Sequence, residues 1–136
     1  MVGIVIATHG NLSHELINTA EIIVGKQKNI QFVTFLVGDG IDYLREEIKN
    51  KIILCDEGDG VIVLTDIIGG SPNNSVLYNL SEISNKIECI SGVNLAMLLE
   101  CILLRNANNT LEEISKNCYE QGRNSIVNST KLLREK

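Results

Sequence analysis

Apolar positions along the chain fall into four short β-branched runs, with helically spaced stretches between them. Val2, Ile4, Val5, Ile6 and Ala7 form the first run, which stops at Thr8-His9-Gly10; a run so short, apolar throughout and closed by glycine predicts a strand buried on both faces. Ile30 to Val37 predicts a second strand, broken by the turn residues Gly38-Asp39-Gly40. Val61 to Thr65 predicts a third, again apolar throughout and therefore central, and Lys86 to Ser91 a fourth. Five helices fit between and after them. The first is capped by Asn11 or Ser13, places Leu12, Leu16, Ala20 and Ile23 on one face, and stops near Gly25. The second sets Ile41, Leu44, Ile48 and Ile52 on one stripe and turns Arg45, Glu46 and Lys49 to water. The third opens with Ser71 as N-cap and Pro72 at the first helical position, and runs to about Leu80. Asn94 to Leu104 is the fourth, carrying Leu95, Leu98, Leu99 and Ile102. Thr110 and Glu113 form a capping box for the fifth, which passes through Ile114 and Cys118 and ends at Gly122. Ser125 to Ser129 fits either a short edge strand or the start of a last helix leading into the charged tail, Leu133 to Lys136.

This alternation predicts a single-domain α/β fold: an open, mostly parallel sheet with right-handed crossovers, strand order 2-1-3-4 and helices on both faces. In that order strands one and three are neighbours, and their carboxyl ends flank the crevice where open α/β sheets keep their ligands. His9 ends strand one and Asp66 ends strand three. A carboxylate bonded to one ring nitrogen fixes the tautomer, leaves the other nitrogen's lone pair exposed and stabilises the imidazolium formed on attack. Beside this pair, Gly69, Gly70 and Ser71 lead into a helix N-terminus, where the amides of Gly70 and Ser71 could take up an anion. Phosphorus is the electrophile that suits an imidazole nucleophile at such a place. Thr8 and Gly10 are supporting residues. The same residues also fit a structural His–Asp bond beside a plain strand-to-helix turn.

Composition narrows the partners. The net charge of -5, with no basic cluster, argues against nucleic acid. No apolar stretch reaches the ~18 residues of a membrane span, and the opening run has no basic flank of the kind a signal peptide carries; a cytoplasmic chain is expected. Cys55, Cys89, Cys101 and Cys118 are far apart in sequence and suit reduced thiols in or near the core. His9 and His14 are the only histidines, which excludes a His-rich metal site, and His14, in the first turn of a helix, suits an exposed residue with no part in the chemistry. Without a phosphate-binding Walker loop or kinase signature, no nucleotide or other cofactor is expected, and the phosphoryl group would arrive on another protein.

Three motifs taken together are specific. Ile6-Ala7-Thr8-His9-Gly10, Asp66 with Gly69-Gly70-Ser71-Pro72, and Ser91-Gly92-Val93-Asn94-Leu95 with Met97-Leu98 resemble the IIA component of the mannose-family sugar phosphotransferase system (PTS), over essentially the whole chain. The resemblance implies that His9 is phosphorylated on Nε2 by the phosphocarrier protein HPr, passes the group to a IIB component and is oriented by Asp66. Membrane IIC and IID components would be engaged only indirectly. It implies, too, a homodimer with a short antiparallel strand exchanged between subunits, for which Ser125 to Ser129 is the candidate, and residues 1–136 as one IIA-like domain with no fused IIB domain or linker. The chain departs from the family where Ile68 replaces an aromatic residue and Asn73 a phenylalanine, both expected to flank the site and bear on docking. Two other classes compete with this reading. A receiver domain would carry the phosphoryl group on Asp66, although the first strand ends without the acidic residues needed to hold Mg²⁺. A non-catalytic module would bind an anion or partner without turnover.

Overall fold

A computed structural model describes residues 1–135; Lys136, the end of the charged tail, lies outside them. The chain runs β1 (Gly3–His9), α1 (Leu12–Val24), β2 (Ile30–Phe35), α2 (Ile41–Cys55), β3 (Val61–Thr65), α3 (Ser71–Asn79), β4 (Ile87–Ser91), α4 (Leu95–Asn106), α5 (Leu111–Asn124) and α6 (Ser129–Arg134). The four strands form one sheet in the order β2-β1-β3-β4, and every pairing is parallel. This is the expected α/β architecture, with strands one and three adjacent at the centre.

Alternation of side chains along the central strands divides the interior in two. Ile4, Ile6, Ile62 and Leu64 point to one face and pack with Ile17 and Ala20 of α1, Leu98 and Ile102 of α4 and Ile114 of α5. Val5, Ala7, Val61 and Val63 point to the other, against Leu44, Ile48 and Ile52 of α2 and Val76 of α3. Because both faces are covered, β1 up to Thr8 and all of β3 are buried, which is why these runs contain no charged residue. Gly3 is a point of close backbone approach in this packing. A Cβ placed there would lie 2.6 Å from both the Cβ and the carbonyl oxygen of Cys55.

Several elements differ from the sequence-based expectation, each for a local reason. In α1 the buried positions are Ser13, Ile17 and Ala20, while Leu12 and Ile23 are exposed. Neither Asn11 nor Ser13 caps this helix through its side chain: Thr8 Oγ1 accepts the Ser13 amide at 2.8 Å, and the Ser13 hydroxyl donates to the Val33 carbonyl at 2.9 Å. Helix α3 has Gly70 as its N-cap and begins at Ser71. Helix α5 continues through Gly122 to Asn124, because the glycine lets Met97 of α4 lie against the helix; a Cβ there would come within 2.6 Å of Met97 Cε. Thr110 does cap α5, its hydroxyl oxygen accepting the Glu113 amide at 3.2 Å. Ser125 to Ser129 forms no strand within this chain. Asn128 instead caps α6 by accepting the Lys131 amide at 2.9 Å. All four cysteines are free thiols, with Cys55, Cys101 and Cys118 buried and Cys89 partly so.

Candidate functional site

The parallel register decides what meets at the carboxyl end of the sheet. Ala7 is level with Thr65, so the next residues out are Thr8 and His9 on β1 and Asp66 beyond β3. His9 is also level with Phe35, the last residue of β2. A sharp departure follows at once: Gly10 has φ +59 and its amide donates to the Phe35 carbonyl at 2.9 Å. The left-handed turn leads straight into α1 and leaves the imidazole at the rim. Thr8, fully buried beneath, donates its hydroxyl to the His9 carbonyl at 3.1 Å while holding the first turn of α1.

Asp66 grips His9 twice with one oxygen. Its Oδ2 accepts the His9 backbone amide at 3.0 Å and faces ring Nδ1 at 2.9 Å. Oδ1 accepts the Ile67 amide at 3.1 Å, fixing the carboxylate plane. A carboxylate only accepts hydrogen bonds, so this contact puts a proton on Nδ1, and in the neutral ring Nε2 then keeps its lone pair. The carboxylate side chain is 11% exposed and the imidazole 46% exposed, so the anchor is sheltered while the ring is reachable. Phe35 stands edge-on to the ring, centroids 5.9 Å apart and planes 69° apart.

The Gly-Gly-Ser-Pro segment closes the other side of the ring. Gly69 adopts φ +78, and Asn74 Nδ2 donates to its carbonyl at 3.0 Å, pinning the loop to the helix it precedes. The Gly70 amide is engaged with the Ile67 carbonyl at 3.2 Å, which leaves Ser71 as the amide of the pair without a backbone acceptor among the described residues. Gly70 lies against the imidazole: a Cβ built on it would be 3.0 Å from His9 Cε1 and 3.8 Å from Nε2.

Of the residues singled out in the sequence, His9, Asp66, Thr8, Gly10 and Gly70 are thus brought together, with Gly69 and Ser71 contiguous to them. Ile68 sits on the rim, 82% exposed. Asn73 does not: it is 6% exposed and accepts the Thr65 hydroxyl at 3.2 Å beneath α3, so it presents nothing to a partner. His14 stacks on Phe32 with centroids 4.3 Å apart, away from this cluster. Phe35 and Asn74 were not legible as site residues. Phe35 could have been found from the strand order, since the end of strand two must adjoin the end of strand one.

The segments that leave β1, β2 and β3 carry exposed apolar side chains: Leu12, Leu36, Val37, Ile67 and Ile68. The segments 8–13, 34–40 and 65–75 contain no lysine or arginine. A cavity of about 400 Å³ at the opposite pole, lined by Val2, Asp59, Lys86, Arg105 and others, lies where the strands begin and takes no part in this cluster. Among the described residues no three His, Cys, Asp or Glu side chains are grouped to hold a metal, and no helix is long and apolar enough to cross a membrane.

The sequence and fold are similar to those of phosphotransferase components. The profile of the family described as PTS system fructose IIA component matches residues 3–118. The chain is 32% identical over 125 residues to the mannose-specific EIIAB component of Escherichia coli K12, covering 92% of this chain but 38% of that protein. The fructose-specific EIIA component of Bacillus subtilis is 32% identical over 105 residues, 77% of this chain and 71% of that one. Among solved structures, EIIA from Streptococcus agalactiae superposes with a TM-score of 0.88 at 27% identity, covering 96% of this chain and 99% of its own. The PTS IIA protein associated with the fucose utilization operon of Streptococcus pneumoniae gives 0.82 at 33% identity, covering 98% and 99%. With the family profile spanning both strand-end motifs, the chain belongs to the fructose IIA component family of the sugar phosphotransferase system.

Proposed function

We propose that this chain is a phosphohistidine carrier in phosphoenolpyruvate-dependent sugar uptake, with His9 accepting a phosphoryl group from HPr and passing it to a IIB component. The observation that carries the proposal is the double grip of Asp66 Oδ2 on the amide and Nδ1 of His9, with the ring left half-exposed. On loading, the Nε2 lone pair forms the new N–P bond as the donor's bond to phosphorus breaks and the donor keeps that electron pair; on unloading, a nucleophile of IIB forms its bond to phosphorus as the Nε2–P bond breaks and Nε2 takes its electron pair back. Positive charge developing on the imidazole is met by the Asp66 carboxylate through the Nδ1 proton. The Ser71 amide at the start of α3 is the donor best placed in sequence for phosphoryl oxygens. Reversal uses the same contacts, as a carrier requires: transfer is stabilised more than the phosphorylated state itself.

Exposed apolar side chains on the segments leaving β1, β2 and β3, with no lysine or arginine in 8–13, 34–40 or 65–75, suit contact with a protein carrier better than capture of a free nucleotide or sugar phosphate. Asp66 is the poorer acceptor of the two, since its oxygens are already taken up by three donors. The reading further includes a homodimer, a cytoplasmic location, and residues 1–136 acting as a IIA-like domain.

Incubation with phosphoenolpyruvate, enzyme I and HPr should add about 80 Da, in a form lost in acid and kept in alkali. His9→Ala should abolish the gain, and a purified IIB protein should remove it. An unmodified mass would favour a non-catalytic binding module. A hydroxylamine-labile adduct would move the phosphoryl group to Asp66.

A further inference from the structure

We infer that Gly70 is a positioning residue whose missing side chain provides the space occupied by the Cε1–Nε2 edge of His9 and by the group carried on Nε2. The inference rests on the phosphohistidine reading above. Two adjacent glycines precede α3, and their backbones call for glycine on different grounds. Gly69 has φ +78, in the left-handed region, and a Cβ there would meet nothing within 4 Å; its requirement is conformational. Gly70 has φ -73 and ψ 164, which any residue adopts, so its backbone makes no such demand. What would crowd a side chain at Gly70 is the neighbour: His9 Cε1 at 3.0 Å, the Ile67 carbonyl at 3.3 Å and His9 Nε2 at 3.8 Å from a Cβ placed there.

The imidazole is therefore held on three sides. Asp66 fixes Nδ1, Phe35 stands edge-on, and the bare Cα of Gly70 lies beneath the edge that reacts. A methyl group at Gly70 would push the ring by a few tenths of an ångström while its Nδ1 stays tethered, tilting Nε2 away from its line of attack. It would also stand 3.8 Å from Nε2, close enough to crowd the oxygens of a phosphoryl group carried on that nitrogen.

Gly70→Ala tests this, with Gly69→Ala as the conformational comparison. Gly70→Ala should melt like the parent protein yet accept phosphoryl from HPr about tenfold more slowly, since placement errors of even 1 Å can cost about 10²-fold. The same deficit should appear with phosphoramidate, a small donor that does not depend on protein docking, and the phosphorylated fraction at equilibrium should fall. ¹⁵N spectra should still show the Nδ1-protonated tautomer, separating lost room from a lost Asp66 contact. Gly69→Ala should instead lower the melting temperature. Equal rates and equal phosphorylated fractions for Gly70→Ala and parent would overturn the inference, and so would collapse of the Gly70→Ala fold, which would make the glycine structural. Failure of the parent protein itself to be labelled on His9 would count against the carrier reading instead.

Discussion

Replacing Asp66 by asparagine isolates what the carboxylate does, because the shape is kept and only the acceptor set changes. In the parent, Oδ2 meets two donors, the His9 amide at 3.0 Å and Nδ1 at 2.9 Å, and Oδ1 meets a third, the Ile67 amide at 3.1 Å. Asparagine has one oxygen and one amide, so either orientation fails somewhere. If its oxygen faces His9, its NH₂ is driven against the Ile67 amide. If its oxygen faces Ile67, its NH₂ opposes the His9 amide and donates to Nδ1, moving the ring proton to Nε2 and removing the attacking lone pair. A donor left without an acceptor in this mostly buried position costs about 1–3 kcal/mol. Loss of a tautomer-fixing carboxylate slows proton-coupled or nucleophilic chemistry by about 10²–10⁴-fold. Rapid-quench measurement of phosphoryl transfer from HPr should show a slowing in that range, with ¹⁵N spectra reporting a shift toward the Nε2-protonated ring. A transfer rate within about threefold of the parent, in a folded Asp66→Asn protein, would refute the reasoning.

Two further predictions concern the frame around the site. Gly3→Ala forces a methyl to within 2.6 Å of the Cys55 backbone carbonyl, which no rotamer change can relieve; overpacking of this kind should cost about 1–3 kcal/mol, read as a lower melting temperature, and an unchanged melt would contradict the tight β1–α2 contact. Asp56, at the end of α2, is held below the ordinary carboxylate range by the Asn85 side-chain amide and by the amides of Gly58 and Gly60. Its folded-state pKa is depressed, so its stabilisation is present above the unfolded-state value and is lost as pH falls through the folded-state one. Urea melts should therefore show Asp56→Asn to be less stable than the parent at pH about 7 and to lose less stability on acidification below about 4; parallel losses in the two proteins would remove Asp56 from the acid transition.

How much of this was legible in sequence depends on whether a feature is local. The uninterrupted apolar runs of β1 and β3 identify two strands buried on both faces, and the strand order then places His9 beside Asp66 without any coordinates. Helix rotation was legible in α2, where Leu44, Ile48 and Ile52 are buried as their spacing predicts, but not in α1. In α1 two overlapping stripes share Ala20, one with Leu12, Leu16 and Ile23 and the other with Ser13 and Ile17. The choice between them is made by the Thr8 hydroxyl anchoring the Ser13 amide, a contact with no signature in hydrophobic spacing. Gly122 carries the same lesson, since a glycine near a helix end suggests a stop, yet here it admits Met97 inside a continuing helix. At the site, the Gly-Gly-Ser-Pro motif announces a helix start but not which amide is spent in the turn. That is settled by the Gly70 contact with the Ile67 carbonyl. Asn73 shows the limit of reading by position alone: next to a surface loop in sequence, it is bonded to Thr65 in the interior.

The central claim is that Asp66 holds Nδ1 of His9 so that Nε2 alone receives phosphorus. It is tested most directly by ³¹P and ¹⁵N spectroscopy of the protein phosphorylated through HPr, with histidine ring nitrogens labelled. The account predicts a one-bond phosphorus coupling to Nε2 of His9, with Nδ1 protonated. Phosphorus on Nδ1, or an adduct on Asp66 released by hydroxylamine, would contradict it.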